Sequence, residues 1–558
     1  MKLLHCIIAL VLFKNGYCYP LIFSKSGPIN GQVLRSRTNR YYYSFTGIPF
    51  AKPPIGELRF KSPEPANPWK TTLDASQPTK VCLQPASKFN TALNFTEGDE
   101  DCLYLNVYTP TFVQKLPVMF WIHGGSFTFG QSGPAMYGSD FFMDKDIVLV
   151  TANYRLGILG FISTEDDVIP GNFGLKDQVL ALRWVKENIE QFGGDPNRVT
   201  IFGQSAGSVS TGYHFLSPLS KGLFHKAILE SGAPLVPWSV SAPGIARQRA
   251  KKVANLVGCN SDISNDMLKC LRSINASNLV TQYSKFYEFV NNPEVAFPPT
   301  VENCGPNAFI CINPLVEFKP VTQVPVIMGL NSAEGGVGIA NLCNDTELSY
   351  PEFITDFNRV ISIMLMYENI ALSEDIDNIG KQLLYKYFPK GINNQSLLEA
   401  VQLFGDGVIL YGVMDMVAKL NSSVYFYLFD HQNEFSFNTQ FGPCKKYLGV
   451  THEDEVTLLF RTSFYKNRTL NDDDTKVSKT MINIWTRFAS TDIPTIDGQS
   501  NGKSWPKFTT MEDSLILLIN SSRPKIIKNP LVEKYRFWQK LPHISHLGYI
   551  NYTFNRYF

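Results

Sequence analysis

A serine between small residues forms the most specific short pattern in the chain, Gly203-Gln204-Ser205-Ala206-Gly207. Val199-Thr200-Ile201-Phe202 leads straight into it and small residues follow, so it reads as a sharp strand-to-helix turn. Such a turn strains the serine backbone and presents Ser205 Oγ at a helix N-terminus, whose amides favour developing negative charge. The flanking glycines remove side chains that would collide with neighbouring backbone. An ordinary glycine-rich turn also matches the pentapeptide alone; the strand before it is what favours a nucleophile.

A second element, Trp121-Ile122-His123-Gly124-Gly125-Ser126-Phe127, follows the apolar run 118–122. A glycine loop there allows backbone amides to approach an oxyanion closely, as acyl transfer needs. Serine also requires a base, and the base an orienting acid. In the architecture that pairs these two elements, both follow the serine, each in a loop after a later strand. Of eight histidines, His5, His123, His214 and His225 come too early, which leaves His431, His452, His543 and His546. The loop after the run 324–330 offers Glu334 first as the acid, with Asp345 and Glu347 beyond it.

These residues need a scaffold. Short apolar runs at 118–122, 147–152, 199–202, 226–229, 324–330, 424–429 and 515–519 read as buried strands. Leu175, Val179, Leu182, Val185, Ile189 and Phe192 recur at helical spacing between two of them, and Gly193-Gly194-Asp195-Pro196 ends that helix. Alternation of this kind predicts an α/β fold, a large and mostly parallel sheet covered by helices. Residues 241–322 and 341–419 are helical in pattern and read as insertions over the sheet. With no linker-like stretch, residues 19–558 are expected to form a single domain.

Composition narrows the class. The chain has 51 Lys plus Arg against 49 Asp plus Glu, for a net charge of +2, and no basic stripe, which argues against a nucleic-acid partner. An apolar fraction of 44% supplies a large core. Lys2, the apolar run 3–13 and Asn15-Gly16-Tyr17-Cys18 have the regions of a secretory signal, with cleavage expected after Cys18. No later run reaches membrane-spanning length, so no anchor is expected. Removing Cys6 and Cys18 leaves Cys82, Cys102, Cys259, Cys270, Cys304, Cys311, Cys343 and Cys444, an even set suited to pairing outside the cell. Sequons at Asn94, Asn275, Asn344, Asn394, Asn421, Asn467, Asn520 and Asn551 fit the same compartment. Without C-x-x-C or C-x-x-C-H there is no sequence support for zinc, thioredoxin chemistry or haem, and no metal or cofactor is expected.

The chain resembles the type-B carboxylesterases, the family of cholinesterases and insect esterases. Phe45-Thr46-Gly47-Ile48-Pro49-Phe50-Ala51, Glu100-Asp101-Cys102-Leu103-Tyr104-Leu105-Asn106-Val107, Asn153-Tyr154-Arg155-Leu156-Gly157 and Phe192-Gly193-Gly194-Asp195-Pro196 carry the likeness. The resemblance implies an α/β-hydrolase fold with helices on both faces of the sheet, and hydrolysis of a small carboxylic ester through an acyl-enzyme. It implies a triad of Ser205, Glu334 and His452, and oxyanion donors Gly125, Ser126 and Ala206. Position 126 departs from the family, where a third glycine is commoner. The family's first two disulfides correspond to Cys82 with Cys102 and Cys259 with Cys270; the other four cysteines allow three pairings.

Two rival readings remain. Some relatives of the esterases are membrane-anchored adhesion proteins without the nucleophile, but every triad position is filled here. Among enzymes, Arg59-Phe60, Asp177-Gln178, Gln204 and Gly449-x-x-His452-x-x-Glu455 resemble the motif set of juvenile hormone esterases. Arg59 and Asp177-Gln178 equally suit a salt-bridged helix face.

Overall fold

The computed structural model describes residues 10–14, 17–77, 80–86, 96–368, 371, 373–437, 444–462, 469–498 and 502–542. Among them an 11-stranded sheet is built, numbered along the chain, from β1 Gln32–Arg35, β2 Tyr41–Pro49, β3 Tyr104–Thr109, β4 Leu116–Ile122, β5 Val148–Ala152 and β6 Gly194–Gln204, then β7 Lys226–Glu230, β8 Val326–Asn331, β9 Val424–Phe429, β10 Leu515–Ile519 and β11 Lys525–Lys528. Their order across the sheet is β11-β10-β9-β8-β7-β6-β4-β5-β3-β2-β1. Strands β4 to β10 pair in parallel. The flanks β3, β2, β1 and β11 are antiparallel. The parallel block coincides with the seven apolar runs of the sequence, whereas the flanking strands mix polar and apolar residues and gave no such signal.

Side chains alternate between two cores. Val118, Phe120 and Ile122 enter one, and Met119 and Trp121 enter the other. Because both faces are buried, the strand is apolar throughout instead of alternating with polar residues. Helix Phe173–Asn188 brings Leu175, Val179, Leu182 and Val185 to the larger core. A short tight turn, Ile189–Phe192, continues it until Gly193 takes φ 78°, which ends the helix where the sequence placed the stop. On the opposite face, helix Asp472–Thr491 packs Val477, Met481, Ile484, Trp485 and Phe488.

The first insertion carries helices Ile245–Leu256 and Ser264–Ser273, but its residues 287–322 form turns and loops where helix was expected. The second contains Leu397–Gly405 and Tyr411–Lys419, joined without a break by a wide helical turn, Asp406–Leu410. The expectation that no later segment reaches spanning length is corrected by this run. Leu397–Lys419 has the length and hydropathy to cross a membrane, yet 78% of its apolar window is buried inside the protein. At the other end, Leu10–Lys14 pairs with Tyr17–Phe23, which pairs in turn through Leu21, Ile22 and Phe23 with Pro28–Asn30. A cut after Cys18 would remove the first pairing and leave the second. The rest of the expected leader lies outside the described residues.

Disulfides join Cys82 to Cys102, Cys259 to Cys270, Cys304 to Cys311 and Cys343 to Cys444. The residues read as a salt-bridged helix face have separate partners. Arg59 holds Glu100 at 2.7 Å through both Nε and NH2, and also binds the carbonyls of Leu271, Arg272 and Ile274. Asp177 takes the Arg155 backbone amide and guanidinium, and Gln178 binds Ser210 and His214. All are buried, so these positions work inside the fold and not on a surface. Asp177→Asn would leave the Arg155 charge buried without its counter-ion, and is expected to lower stability by about 3–5 kcal/mol. An unchanged urea midpoint would show that the pair does not hold this region.

Candidate active site

Ser205 leaves the C-terminal end of β6 with φ 56° and ψ −124°, a sparsely populated conformation, and helix Ala206–Leu216 starts at the next residue. Its amide is tied to the Glu230 carbonyl at 2.9 Å, which fixes the turn to β7. The pentapeptide glycines are required by close approach. A Cβ on Gly203 would lie 2.5 Å, and one on Gly207 2.0 Å, from the Ile122 carbonyl oxygen at the end of β4. Any larger residue would push the nucleophile away from the neighbouring loop. Ala206 is the first residue of the helix, so its N–H has no acceptor within it.

That loop leaves β4, which pairs with β6 so that Ile122 faces Gly203. The chain goes from β4 outward to β5 and returns to β6 on the other side, so the crevice lies where the strand order reverses. Gly125, Ser126 and Phe127 have φ of 103°, 55° and 55°. Among the described residues no protein acceptor engages the amides of Gly125 and Ser126. Ser126 Oγ donates to Glu294 Oε1 at 2.8 Å. His123 stacks on Tyr154 with ring centroids 4.4 Å apart, and burial lowers its pKa to about 4, so it stays neutral.

The acid and the base sit on two loops stitched together. Glu334 follows β8; its Oε1 accepts the Asn331 amide and its Oε2 meets His452 Nδ1, each at 2.7 Å. Ala333 N–H reaches the Val450 carbonyl at 2.9 Å, and Asn331 Nδ2 the Thr451 carbonyl at 2.7 Å. Asp454 accepts the Thr451 amide at 2.7 Å and shapes the turn that carries His452. Burial raises the Asp454 carboxyl to about 7. With a proton on Nδ1, the His452 Nε2 lone pair faces the Gln204 amide nitrogen at 3.1 Å. Burial lowers the His452 pKa, but the hydrogen bond and charge of Glu334 outweigh it, and the net shift is upward from 6.5.

The other candidates lie elsewhere. His431 Nε2 bonds Asp474 at 2.7 Å, in the first turn of the helix on the opposite face. Asp345 pairs with Lys445 and Glu347 with Gln395, all exposed. His543 and His546 lie outside the described residues. Among those described, no group of three or more His, Cys, Asp and Glu has a metal-site arrangement.

Ser205, Glu334 and His452 border one cavity, of about 530 Å³ including its mouth. Glu294 and Ser126 share its wall with apolar groups from the second insertion, among them Met364, Met366, Phe404, Val408 and Ile409. Sequence reasoning singled out Ser205, Glu334, His452 and the glycine loop, which the structure brings together, but missed Glu294, Asn331 and Asp454. These act through other residues and belong to no short pattern. The one usable signal was the serine at position 126.

Sheet order, crevice and strained serine define an α/β-hydrolase. The model of the Carboxylesterase family matches residues 19–538, and the chain belongs to that family. It is 37% identical to juvenile hormone esterase of Tribolium castaneum and 35% identical to venom carboxylesterase-6 of Apis mellifera, with 94% of each chain covered in both pairs. It is 32% identical to acetylcholinesterase of Bungarus fasciatus, over 93% of this chain and 86% of that one. The crystal structure of Manduca sexta juvenile hormone esterase with OTFP covalently attached superposes with a TM-score of 0.81, at 25% identity, over 94% of this chain and 99% of that one. The protein is therefore a carboxylic ester hydrolase.

If His452 is the base, only its neutral form accepts a proton, so kcat/KM should rise with pH through an apparent pKa above 6.5. Glu334→Gln removes the largest influence that raises this pKa and leaves burial, which lowers it, against the smaller pull of the Glu453 and Glu294 charges. The acid limb should then move to lower pH while the plateau falls by orders of magnitude. An acid limb that stays in place would separate Glu334 from the titrating group. His452→Ala should abolish turnover, and His431→Ala should change it by less than about tenfold.

Proposed function

We propose that Ser205 is the nucleophile, His452 the base and Glu334 its orienting acid, with oxyanion donors at Gly125, Ser126 and Ala206. The observation that carries the reading is the 2.7 Å Glu334–His452 bond in the wall of the cavity that the strained Ser205 also lines. Ser205 Oγ adds to the ester carbonyl as its proton passes to His452 Nε2, and the amides take the charge on the carbonyl oxygen. The alkoxide leaves with that proton, giving an acyl-serine. Water then repeats the attack, and the acid and free Ser205 are released. For this cycle His452 Nε2 must exchange Gln204 for Ser205.

Uncharged esters fit best. Segment 83–101 contains no tryptophan to hold an ammonium by a cation–π contact worth about 0.5–2 kcal/mol, and position 204 is Gln, which carries no charge. Phe89 and Phe95, its aromatic residues, lie outside the described set. Glu294 does bring a carboxylate to the wall, but one of its oxygens holds Ser126. The relatives named juvenile hormone esterases favour, as a second reading, a hydrophobic hormone ester, for which the apolar wall is suited.

Export, with a leader at residues 1–18 and N-glycans, is also proposed. Support comes from the family match beginning at residue 19, the four disulfides, and exposure of the sequons Asn275, Asn344, Asn394, Asn421 and Asn520. Asn94, Asn467 and Asn551 lie outside the described residues.

Ser205→Ala should still be produced and lose several orders of magnitude in kcat, and an organophosphate should label Ser205 in the wild type. Label on another residue would overturn the assignment. Acetylcholine should be hydrolysed with far lower kcat/KM than its uncharged isostere, 3,3-dimethylbutyl acetate. A preference for the cation would mean that an ammonium site exists.

A further inference from the structure

In the loop after β4, three consecutive residues have positive φ, and two of them, Ser126 and Phe127, have side chains. Glycine adopts this region freely, whereas an L-residue must be held in it. Phe127 is held by packing: its buried ring lies 4.9 Å from Phe161 and 6.2 Å from Trp238, and its carbonyl accepts the Gly157 amide at 2.6 Å. Ser126 has no such burial of an apolar group. Its side chain makes one bond, Oγ to Glu294 Oε1 at 2.8 Å.

Glu294 comes from the first insertion, not from the sheet. The segment that carries it is fastened to the same loop a second time, where Thr128 Oγ1 meets the Tyr283 hydroxyl at 2.7 Å. Tyr283 also accepts the Ala296 amide at 2.9 Å, two residues beyond Glu294. The insertion thus straps the loop, and the Ser126–Glu294 bond is the strap at a residue that lines the reaction cavity.

We propose that Glu294 is a positioning residue for ester hydrolysis. By holding the Ser126 hydroxyl it keeps residue 126 in the left-handed conformation, and so keeps the Ser126 amide available to the oxyanion. It does for a serine what glycine at this position would do unaided. The inference rests on the reading of Ser126 as an oxyanion donor.

The test is a cycle of variants of the full-length protein, with kcat and KM measured on p-nitrophenyl acetate and folding checked by thermal unfolding. Glu294→Ala should lower kcat by about 30-fold or more with KM within about threefold, because a donor lost in the transition state affects kcat. Glu294→Gln keeps an acceptor oxygen and should recover most of that loss. Ser126→Ala removes the same bond from the other side, so adding Glu294→Ala to it should cost less than about threefold more. On a Ser126→Gly background, too, the Glu294→Ala loss should shrink to less than about threefold. Should Glu294→Ala fail to fold, Ser126→Ala and Glu294→Gln still read the bond.

Unchanged kcat in Glu294→Ala, or the same loss with and without the Ser126 side chain, would overturn the proposal. So would a loss in Glu294→Gln as large as in Glu294→Ala, which would make charge the cause. Ser205→Ala separates the two readings. If it is inactive while Glu294→Ala is normal, only the strap falls; if it is active, the site reading falls with it.

Discussion

The 2.7 Å bond between Glu334 Oε2 and His452 Nδ1 joins loops 118 residues apart, and much of the architecture serves to hold them at that distance. The loops leave the sheet beyond β8 and β9, neighbours in parallel register from Val326 opposite Val424 to Asn331 opposite Phe429. Parallel pairing sends both in the same direction from the same edge. Asn331 then does two jobs at the end of β8: its backbone amide fixes one oxygen of Glu334, and its side chain fixes the Thr451 carbonyl beside His452. Glu334 and His452, the proposed acid and base, are thus located by one residue, and a shift of β8 would move both together.

Acids buried beneath the site make this arrangement electrostatically tenable. Glu230 accepts the Trp485 indole N–H at 2.6 Å, and burial raises its pKa to about 8. Glu455 accepts from Asn331 Nδ2 at 2.5 Å and is pushed well above the carboxylate range, by burial first and then by the charges of Glu230 and Glu334. Burial shifts both toward the neutral form, which weakens their repulsion of the Glu334 carboxylate beside His452. Trp485 belongs to the helix on the far face of the sheet, so the packing of that face reaches the electrostatics of the crevice.

The parts readable from sequence were those with local causes. Seven strands announced themselves because parallel strands buried on both faces must be apolar throughout. The antiparallel strands Tyr41–Pro49 and Tyr104–Thr109 did not, since polar residues, Gly47 and a register shift between Phe45 and Ile48 break the pattern. Ser205 was readable because its turn demands glycines at fixed offsets. His452 was not separable from His431 by spacing, since both follow β9; only family likeness chose, and the structure gives each its own acid on a different face. The pairing of Cys343 with Cys444 had no local cause either, because they are 101 residues apart.

The cavity itself lies further from local sequence logic. Its wall includes Val408 and Ile409 from the wide turn Asp406–Leu410, which interrupts a long buried helix. Wide turns of this kind are strained and tend to mark functional positions. This one is clasped from two sides. Asp406 takes Lys534 at 2.9 Å and the Tyr387 hydroxyl at 2.8 Å, while Trp238, itself in the cavity wall, donates its indole N–H to the Val408 carbonyl at 3.0 Å. Lys534 lies on Val532–Lys540, the last helix of the described chain, and Trp538 on the same helix bonds Tyr387 at 2.8 Å. The residues proposed for acyl transfer therefore sit on turns and loops at the edge of the sheet, whereas much of the cavity wall comes from an insertion clasped by a C-terminal helix. Substrate range can change through the insertion and that helix without moving Ser205, Glu334 or His452.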